Sequence, residues 1–306
     1  MSGPTGVVVM AYGTPGGPGD VEAYYTHIRR GRPPTAEQLA DLVRRYDAIG
    51  GTSPMAARTR AQVDAVAAAL ERDRPGGFVV TLGQKHAAPF VEDGVAGLAR
   101  AGARSVVGLV LAPHYSASSV GQYHERAAAA AGAAGLPYAR IDSWHLEPAF
   151  IDFQARAVRD ALSGLPQRTK VLFTAHSLPE RALVDDPYPD QLRRSAEATA
   201  DAVGLVPWAG WGLGWQSAGR TPEPWRGPDV LEILRDLAGT GRSDGALVVP
   251  QGFTSDHLEV LYDLDVEAAA LAHELGLAFG RTRVVNDDPD VMAALAAVVR
   301  RTADGS

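Results

Sequence analysis

Thr174-Ala175-His176-Ser177-Leu178-Pro179 directly follows Lys170-Val171-Leu172-Phe173, an apolar, β-branched and aromatic run of the kind that forms a buried parallel strand. A histidine just past the carboxyl end of such a strand stands where open α/β sheets bind their ligands. Pro179 and Glu180 suit the start of a helix. The bland alternative is a histidine that caps a helix or bonds within a turn, and spacing alone does not separate the two. Glu259, Asp263 and Glu267 are spaced by four, which on a helix aligns three carboxylates along one face. Like charges at that spacing repel, so the row costs stability unless a cation or water offsets it; a solvated acidic face is the ordinary explanation. One imidazole with carboxylate oxygens is an acceptable set for a borderline divalent metal such as Fe²⁺, Co²⁺ or Zn²⁺. Two protein ligands do not close a structural zinc site. They would hold a metal loosely, as a delivery site requires.

The elements that must position these groups read as alternating strands and helices. Gly6–Ala11 is a buried-strand pattern ending in Tyr12 and a turn-rich loop, where the Tyr12 ring can face a cleft or pack under the loop. That loop lacks both the G-x-G-x-x-G spacing and a Walker lysine, which weakens a nucleotide reading. Asp20 to Arg30 reads as a helix with Asp20 as N-cap, followed by Arg29-Arg30-Gly31-Arg32, a positive patch suited to carboxylates or phosphates, or else plain solvated surface. Helices from Thr35 to Tyr46 and up to Arg72 precede strands at Phe78–Leu82, Ser105–Ala112 and Tyr138–Ile141, with a helix over Ser119–Ala134. The pattern then restarts with a helix at Asp152–Leu162, the His176 strand, a strand over Trp208–Trp215, a strand at Ala246–Pro250 and the helix bearing Glu259. A last short strand falls within Ala278–Val285 and a helix over Asp290–Arg301.

The two halves rhyme. Val8-Val9-Met10-Ala11-Tyr12 resembles Leu172-Phe173-Thr174-Ala175-His176, Leu82-Gly83-Gln84 resembles Leu213-Gly214-Trp215-Gln216, and the run ending at Pro113 resembles the run ending at Pro250. The repeat predicts an α/β protein of two similar parallel-sheet domains, 1–145 and 146–306, whose sheets face a central cleft lined by strand C-termini. The last helix of the second half is free to pack back on the first. The longer segment from Ala23 to Thr59 is an insertion in the first half, a candidate ligand-gripping region carrying Arg29, Arg30, Arg45, Tyr46 and Ser53.

Bulk properties narrow the function classes. A net charge of -7 without a long basic cluster argues against a nucleic-acid binder. The sequence has no cysteine, which excludes disulfides, thiolate metal sites and Cys-ligated iron–sulfur clusters. No apolar run approaches the ~20 residues needed to span a bilayer. The N-terminus shows no signal-peptide pattern, so a cytoplasmic enzyme or binding protein is expected.

Met10-Ala11-Tyr12-Gly13-Thr14-Pro15, Tyr24-Tyr25-Thr26-His27-Ile28-Arg29-Arg30-Gly31, Tyr46-Asp47-Ala48-Ile49-Gly50-Gly51, His176-Ser177-Leu178-Pro179, Asp186-Pro187-Tyr188-Pro189 and Asp256-His257-Leu258-Glu259-Val260-Leu261-Tyr262-Asp263 together resemble the ferrochelatase family over nearly the whole chain. The resemblance is to its soluble Gram-positive type, which inserts iron into coproporphyrin III in haem biosynthesis. It implies a chelatase-like fold of two Rossmann-like domains around a porphyrin cleft. It implies that His176 and Glu259 bind the incoming metal or take pyrrole protons, and that Tyr12 ligates product iron from the opposite face. It implies porphyrin contacts for Arg29, Arg45, Tyr46, Ser53 and Tyr123, and an outer metal path along Asp263 and Glu267. Fe²⁺ is then a substrate and no cofactor is permanently bound. A soluble monomer that passes its product to a later haem-pathway enzyme, without inserting in a membrane, is the implied setting. A histidine titrating near neutrality beside a carboxylate suits proton acceptance. Protoporphyrin IX as substrate, a cobalt or nickel chelatase, and a non-catalytic porphyrin carrier are the rivals. The roles of His86, His114, His124 and His257 stay open, and His257 is expected to point away from Glu259 on the helix.

Overall fold

The computed structural model describes residues 3–206, 210–219 and 221–305. The elements run β1 (Thr5–Ala11), α1 (Val21–Ile28), α2 (Ala36–Ala48), α3 (Met55–Asp73), β2 (Phe78–Gln84), α4 (Val91–Arg100), β3 (Ser105–Val110), α5 (Gln122–Ala133) and β4 (Tyr138–Ile141). They continue with α6 (Pro148–Leu162), β5 (Thr169–His176), α7 (Tyr188–Val203), β6 (Trp211–Gln216), α8 (Val230–Thr240), β7 (Gly245–Val249), α9 (Leu258–Val260), α10 (Ala269–Glu274), β8 (Ala278–Arg281) and α11 (Pro289–Asp304). By their contacts the residues form two compact units, Met1–Trp144 with Asn286–Ser306, and His145–Val285. Dividing the sequence at 146 leaves α11 with the second half; its contacts lie with the first unit. Among the described residues no helix is long and apolar enough to cross a membrane.

In the first unit a parallel sheet has the order β2-β1-β3-β4. Val7, Val8, Val9 and Met10 are fully buried, as a central parallel strand covered on both faces requires. Val8 and Met10 pack with Val91, Val95 and Leu98 of α4 and with Tyr123 and Ala127 of α5. The α3 and α11 helices pack together, tied at one end by an Arg300–Asp73 ion pair of 2.6 Å.

The second unit repeats the order as β6-β5-β7-β8, again parallel. Side chains alternate between layers as the strand period demands. Leu172, Ala246 and Val248 pack with Val230 and Leu234 of α8 and with Val260 and Leu264. Val171, Phe173, Leu247 and Val249 pack on the other side with Val158 of α6 and Ala196 and Ala200 of α7.

Register makes the internal repeat concrete. Thr5 pairs with Ser105 and Thr169 with Gly245, so β1 corresponds to β5 and Tyr12 to His176. One rhyme slips. Val9 pairs with Leu109 and its counterpart Phe173 with Val249; Pro250 therefore corresponds to Val110, not to Pro113. Leu111 and Ala112 prolong the apolar run past the end of β3, so matching the prolines shifts the strands.

Several boundaries also move. The first helix stops at Ile28, before Arg30, because Arg30 and Gly31 take left-handed φ values of 57° and 81°. Asp20 closes a 3₁₀ turn in the right-handed helical region and its side chain makes no capping bond. The β6 strand begins at Trp211, and Trp208, placed in that strand from sequence, lies outside the described residues. The last short strand, expected within Ala278–Val285, does lie there, at Ala278–Arg281. The helix expected through Glu259, Asp263 and Glu267 is α9 passing into a π-helical segment, Leu261–Ala268, before α10.

Candidate functional site

In the second unit His176 is the last residue of β5, held in the ladder opposite Gln216 of β6. Its Nδ1 is within hydrogen-bond distance of the Ser177 carbonyl. A carbonyl only accepts, so Nδ1 carries the proton and Nε2 is the nitrogen that faces Glu259, with Oε1 at 3.6 Å. The hydroxyl of buried Tyr188 donates to the His176 carbonyl at 3.3 Å. Both side chains of the His176–Glu259 pair are a little over one-third exposed, at 36% and 38%, so water reaches them.

Glu259 sits in the first turn of α9, and two side chains hold that turn to the sheet. Gln216 Nε2 donates to the Glu259 carbonyl at 3.3 Å, and Thr174 Oγ1 donates to Gln216 Oε1 at 2.9 Å. His257 does not point away. Its Nε2 lies 3.6 Å from Glu259 Oε2, and its Nδ1 donates to the Ser255 carbonyl at 3.0 Å. The reason is local. His257 is the N-cap, with extended φ -156° and ψ -179°, so it lies before the helical period begins. Glu259 is therefore flanked by two imidazoles.

The charges follow. Burial works against a protonated His176, but the Glu259 carboxylate, the Ser177 carbonyl and Asp263 outweigh it and raise its pKa to about 9. Burial likewise opposes ionisation of Glu259, while His176 and His257 hold it well below the usual carboxylate range. At neutral pH the pair is imidazolium and carboxylate rather than a histidine poised near neutrality. A divalent cation arriving here displaces a proton, so metal binding and proton release are coupled.

Asp263 is buried in the π-helical segment and accepts a hydrogen bond from Ser217 Oγ. Ser217 adopts a left-handed φ of 60° just past β6, an uncommon conformation for a non-glycine residue. Glu267 is half-buried further along the same segment. Among the described residues no group of three or more His, Asp or Glu side chains is arranged to hold a metal ion.

In the first unit Tyr12 follows β1 with 40% of its surface exposed. Its ring lies 4.6 Å from that of His86, and the His86 amide donates to the Tyr12 carbonyl at 2.9 Å. His86 and His27 approach Nδ1 to Nδ1 at 3.0 Å. Their ring centroids are 5.2 Å apart. Burial, then Lys85, His27 and Arg126, push His86 down to about 3. Burial, then Arg126 and Arg30, lower Lys85 to about 8, and its Nζ stands 5.2 Å from the centre of the Tyr123 ring.

The remaining residues singled out from sequence lie in this unit. Arg29 is half-buried, with its guanidinium 5.5 Å from the Tyr25 ring centre and Nε donating to the Arg32 carbonyl at 3.2 Å. Arg45 Nε bonds Asp41 Oδ2 at 3.2 Å. Tyr46 and Tyr123 are buried, at 4% exposure each. Ser53 Oγ accepts from the Met55 amide at 3.2 Å, starting α3. Sequence reasoning did not single out Ser217, Gln216 or Lys85. Gln216 and Lys85 sit next to strand ends, the one signal that could have raised them.

A family model described as Ferrochelatase matches residues 4–303. A coproporphyrin III ferrochelatase of Geobacillus kaustophilus (strain HTA426) is 44% identical over 301 residues, covering 96% of this chain and 94% of the relative. One of Bacillus subtilis (strain 168) is 42% identical, covering 96% of each chain. Among solved structures, SirB from Bacillus subtilis with Fe³⁺ superposes with a TM-score of 0.59 at 13% identity, covering 99% of this chain and 98% of that one. CbiX, described as the terminal enzyme for biosynthesis of sirohaem in denitrifying bacteria, reaches 0.55 at 15% identity, covering 97% and 98%. At these identities the two structures speak for the fold alone.

Proposed function

The chain belongs to the ferrochelatase family, and on that premise we propose that it inserts Fe²⁺ into coproporphyrin III to give coprohaem. The observation that carries the site assignment is the His176–Glu259 pair, 3.6 Å apart and open to water at the carboxyl edge of β5. The reaction is H₂-porphyrin plus Fe²⁺ to Fe-porphyrin plus two protons, without redox change. Its requirements are a loose metal site and acceptors for two protons.

His176 Nε2 and the Glu259 carboxylate supply both. The metal takes the place of the proton on His176 Nε2, with water completing its shell. Once the metal has passed to the ring nitrogens, the neutral imidazole is free to accept one pyrrole proton, and the second passes over the carboxylates to water. Asp263 and Glu267, one helical turn apart, form the outer carboxylates that relay hydrated metal towards Glu259 and protons away from it. Tyr12, exposed at the equivalent strand end of the first unit, is the axial ligand for product iron. Arg29 and Arg45 pair with propionates, while Tyr46, Ser53 and Tyr123 shape the pocket rim. Four propionates on coproporphyrin, against two on protoporphyrin, favour the ring that engages more cations. The protein works as a cytoplasmic monomer without a resident cofactor and passes its product to a later haem-pathway enzyme.

Anaerobic Fe²⁺ insertion, followed by absorbance with coproporphyrin III and protoporphyrin IX side by side, tests this reading. Turnover of coproporphyrin III, lost in His176→Ala with porphyrin binding kept, supports it. Turnover of protoporphyrin alone refutes the substrate. Binding of both rings without insertion makes the protein a carrier.

A further inference from the structure

The turn that presents Glu259 is tied to the sheet through Gln216 at its backbone, but its N-cap, His257, makes no side-chain capping bond. The helix that follows passes at once into a π-helical segment, a rare geometry in place of the regular α-helical turn. Yet Glu259 and Asp263 must keep fixed places relative to His176. One side chain outside the helix braces this stretch at both ends. Arg281, 16% exposed, makes a two-pronged contact with Asp265, Nε to Oδ1 at 2.7 Å and Nη2 to Oδ2 at 2.8 Å. Its Nη1 lies 3.4 Å from Asp256 Oδ1, an ion-pair contact without a hydrogen bond, and donates to the Thr282 carbonyl at 3.1 Å. Asp256 precedes Glu259 by three residues and Asp265 follows Asp263 by two, so the bracket encloses both carboxylates of the site.

Arg281 is itself fixed. It ends β8 opposite Val248 of β7, and the Thr282 amide donates to the Val248 carbonyl at 3.0 Å. The guanidinium is a planar fork that can hold one carboxylate with two bonds and still offer a third direction, which an ammonium on a flexible stem cannot do.

We infer that Arg281 is a positioning residue for the metal site: by bridging Asp256 and Asp265 from the rigid sheet edge, it sets the register of the helical turn that carries Glu259 and Asp263. This rests on His176 and Glu259 being the pair that takes the metal. Arg281 touches neither, so its contribution is to the metal's affinity through the placement of Glu259.

Co²⁺ binding by the full chain without porphyrin, read from the visible absorption of the bound metal, separates placement from mere stability. Arg281→Met and Arg281→Lys should each weaken Co²⁺ about tenfold, the lower end of what disturbing outer partners of a metal site costs, while coproporphyrin III affinity stays within twofold. A folded Arg281→Met with wild-type Co²⁺ affinity overturns the inference. So does full rescue by Arg281→Lys, which keeps the charge but cannot bridge both carboxylates. Should Arg281→Met not fold, Asp265→Asn and Asp256→Asn each remove one arm, and unchanged Co²⁺ affinity in both overturns it equally. A wild-type chain that binds no Co²⁺ sinks the metal site and the bracket together. One that binds Co²⁺ with this Arg281 dependence but does not turn over keeps the bracket and loses the proposed reaction.

Discussion

Glu259→Gln removes the charge next to His176 and leaves its shape. At 3.6 Å two unit charges interact by about 1 kcal/mol in a water-like medium and by about 5 kcal/mol at an effective dielectric of about 20. Divided by 1.36 kcal/mol per pKa unit, that is between about 1 and about 3 units. Both side chains are more than one-third exposed, which draws the answer away from the upper limit. With the carboxylate gone, burial still disfavours the imidazolium, so the His176 pKa falls from about 9 towards or below the ordinary value of ~6.5. Long-range ¹H–¹⁵N spectra of the imidazoles across pH read this directly, with His176→Gln identifying the resonance. Stability should follow the same pair. A histidine whose pKa is raised on folding stabilises the fold fully below about 6.5, and that stabilisation is lost as pH rises through about 9. The Tm gap between wild type and Glu259→Gln therefore narrows between pH 7 and pH 10. A His176 pKa that moves by less than about half a unit in Glu259→Gln would refute the electrostatic account of the site.

Lys85 and Lys170 are the lysines of the sequence, which makes Lys85 readable by reductive ¹³C-methylation. Its signal should titrate near pH 8, and Arg126→Ala should move that midpoint upwards by relieving like-charge repulsion; an unmoved midpoint would leave burial and Arg30 as the causes. Ser217→Gly and Ser217→Ala both remove the hydroxyl that bonds Asp263, but only glycine relaxes the left-handed φ of 60°. In urea denaturation Ser217→Gly should exceed Ser217→Ala by about 1 kcal/mol, and equal stability of the two would mean that residue 217 carries no strain.

Much of the architecture was legible because it rests on local chemistry. Gly6–Ala11 and Lys170–Phe173 are apolar runs bounded by turn residues, and a run buried on both faces has few alternatives to a central parallel strand. The shared strand order of the two sheets was readable from the same rhyme that matched Tyr12 with His176. That His176 stands at a strand's carboxyl edge followed from the apolar run Lys170–Phe173, although β5 runs on through His176 instead of ending before it. The helical row of Glu259, Asp263 and Glu267 followed from their spacing.

The tertiary structure decided the rest. Whether β3 matches β7 at Pro113 or at Val110 depends on ladder hydrogen bonds between strands 100 residues apart in the first unit and 76 in the second. The expectation that His257 turns away assumed a helix already begun at residue 257, whereas an extended N-cap puts its imidazole beside Glu259. The π-helical turn, the left-handed Ser217 and the Arg281 bracket have no signature in residue spacing, because each is a local departure that only distant partners hold in place. The charge on His176 is of the same kind: a histidine titrates near neutrality by its own chemistry, and a carboxylate carried in from eighty-three residues away raises it to about 9.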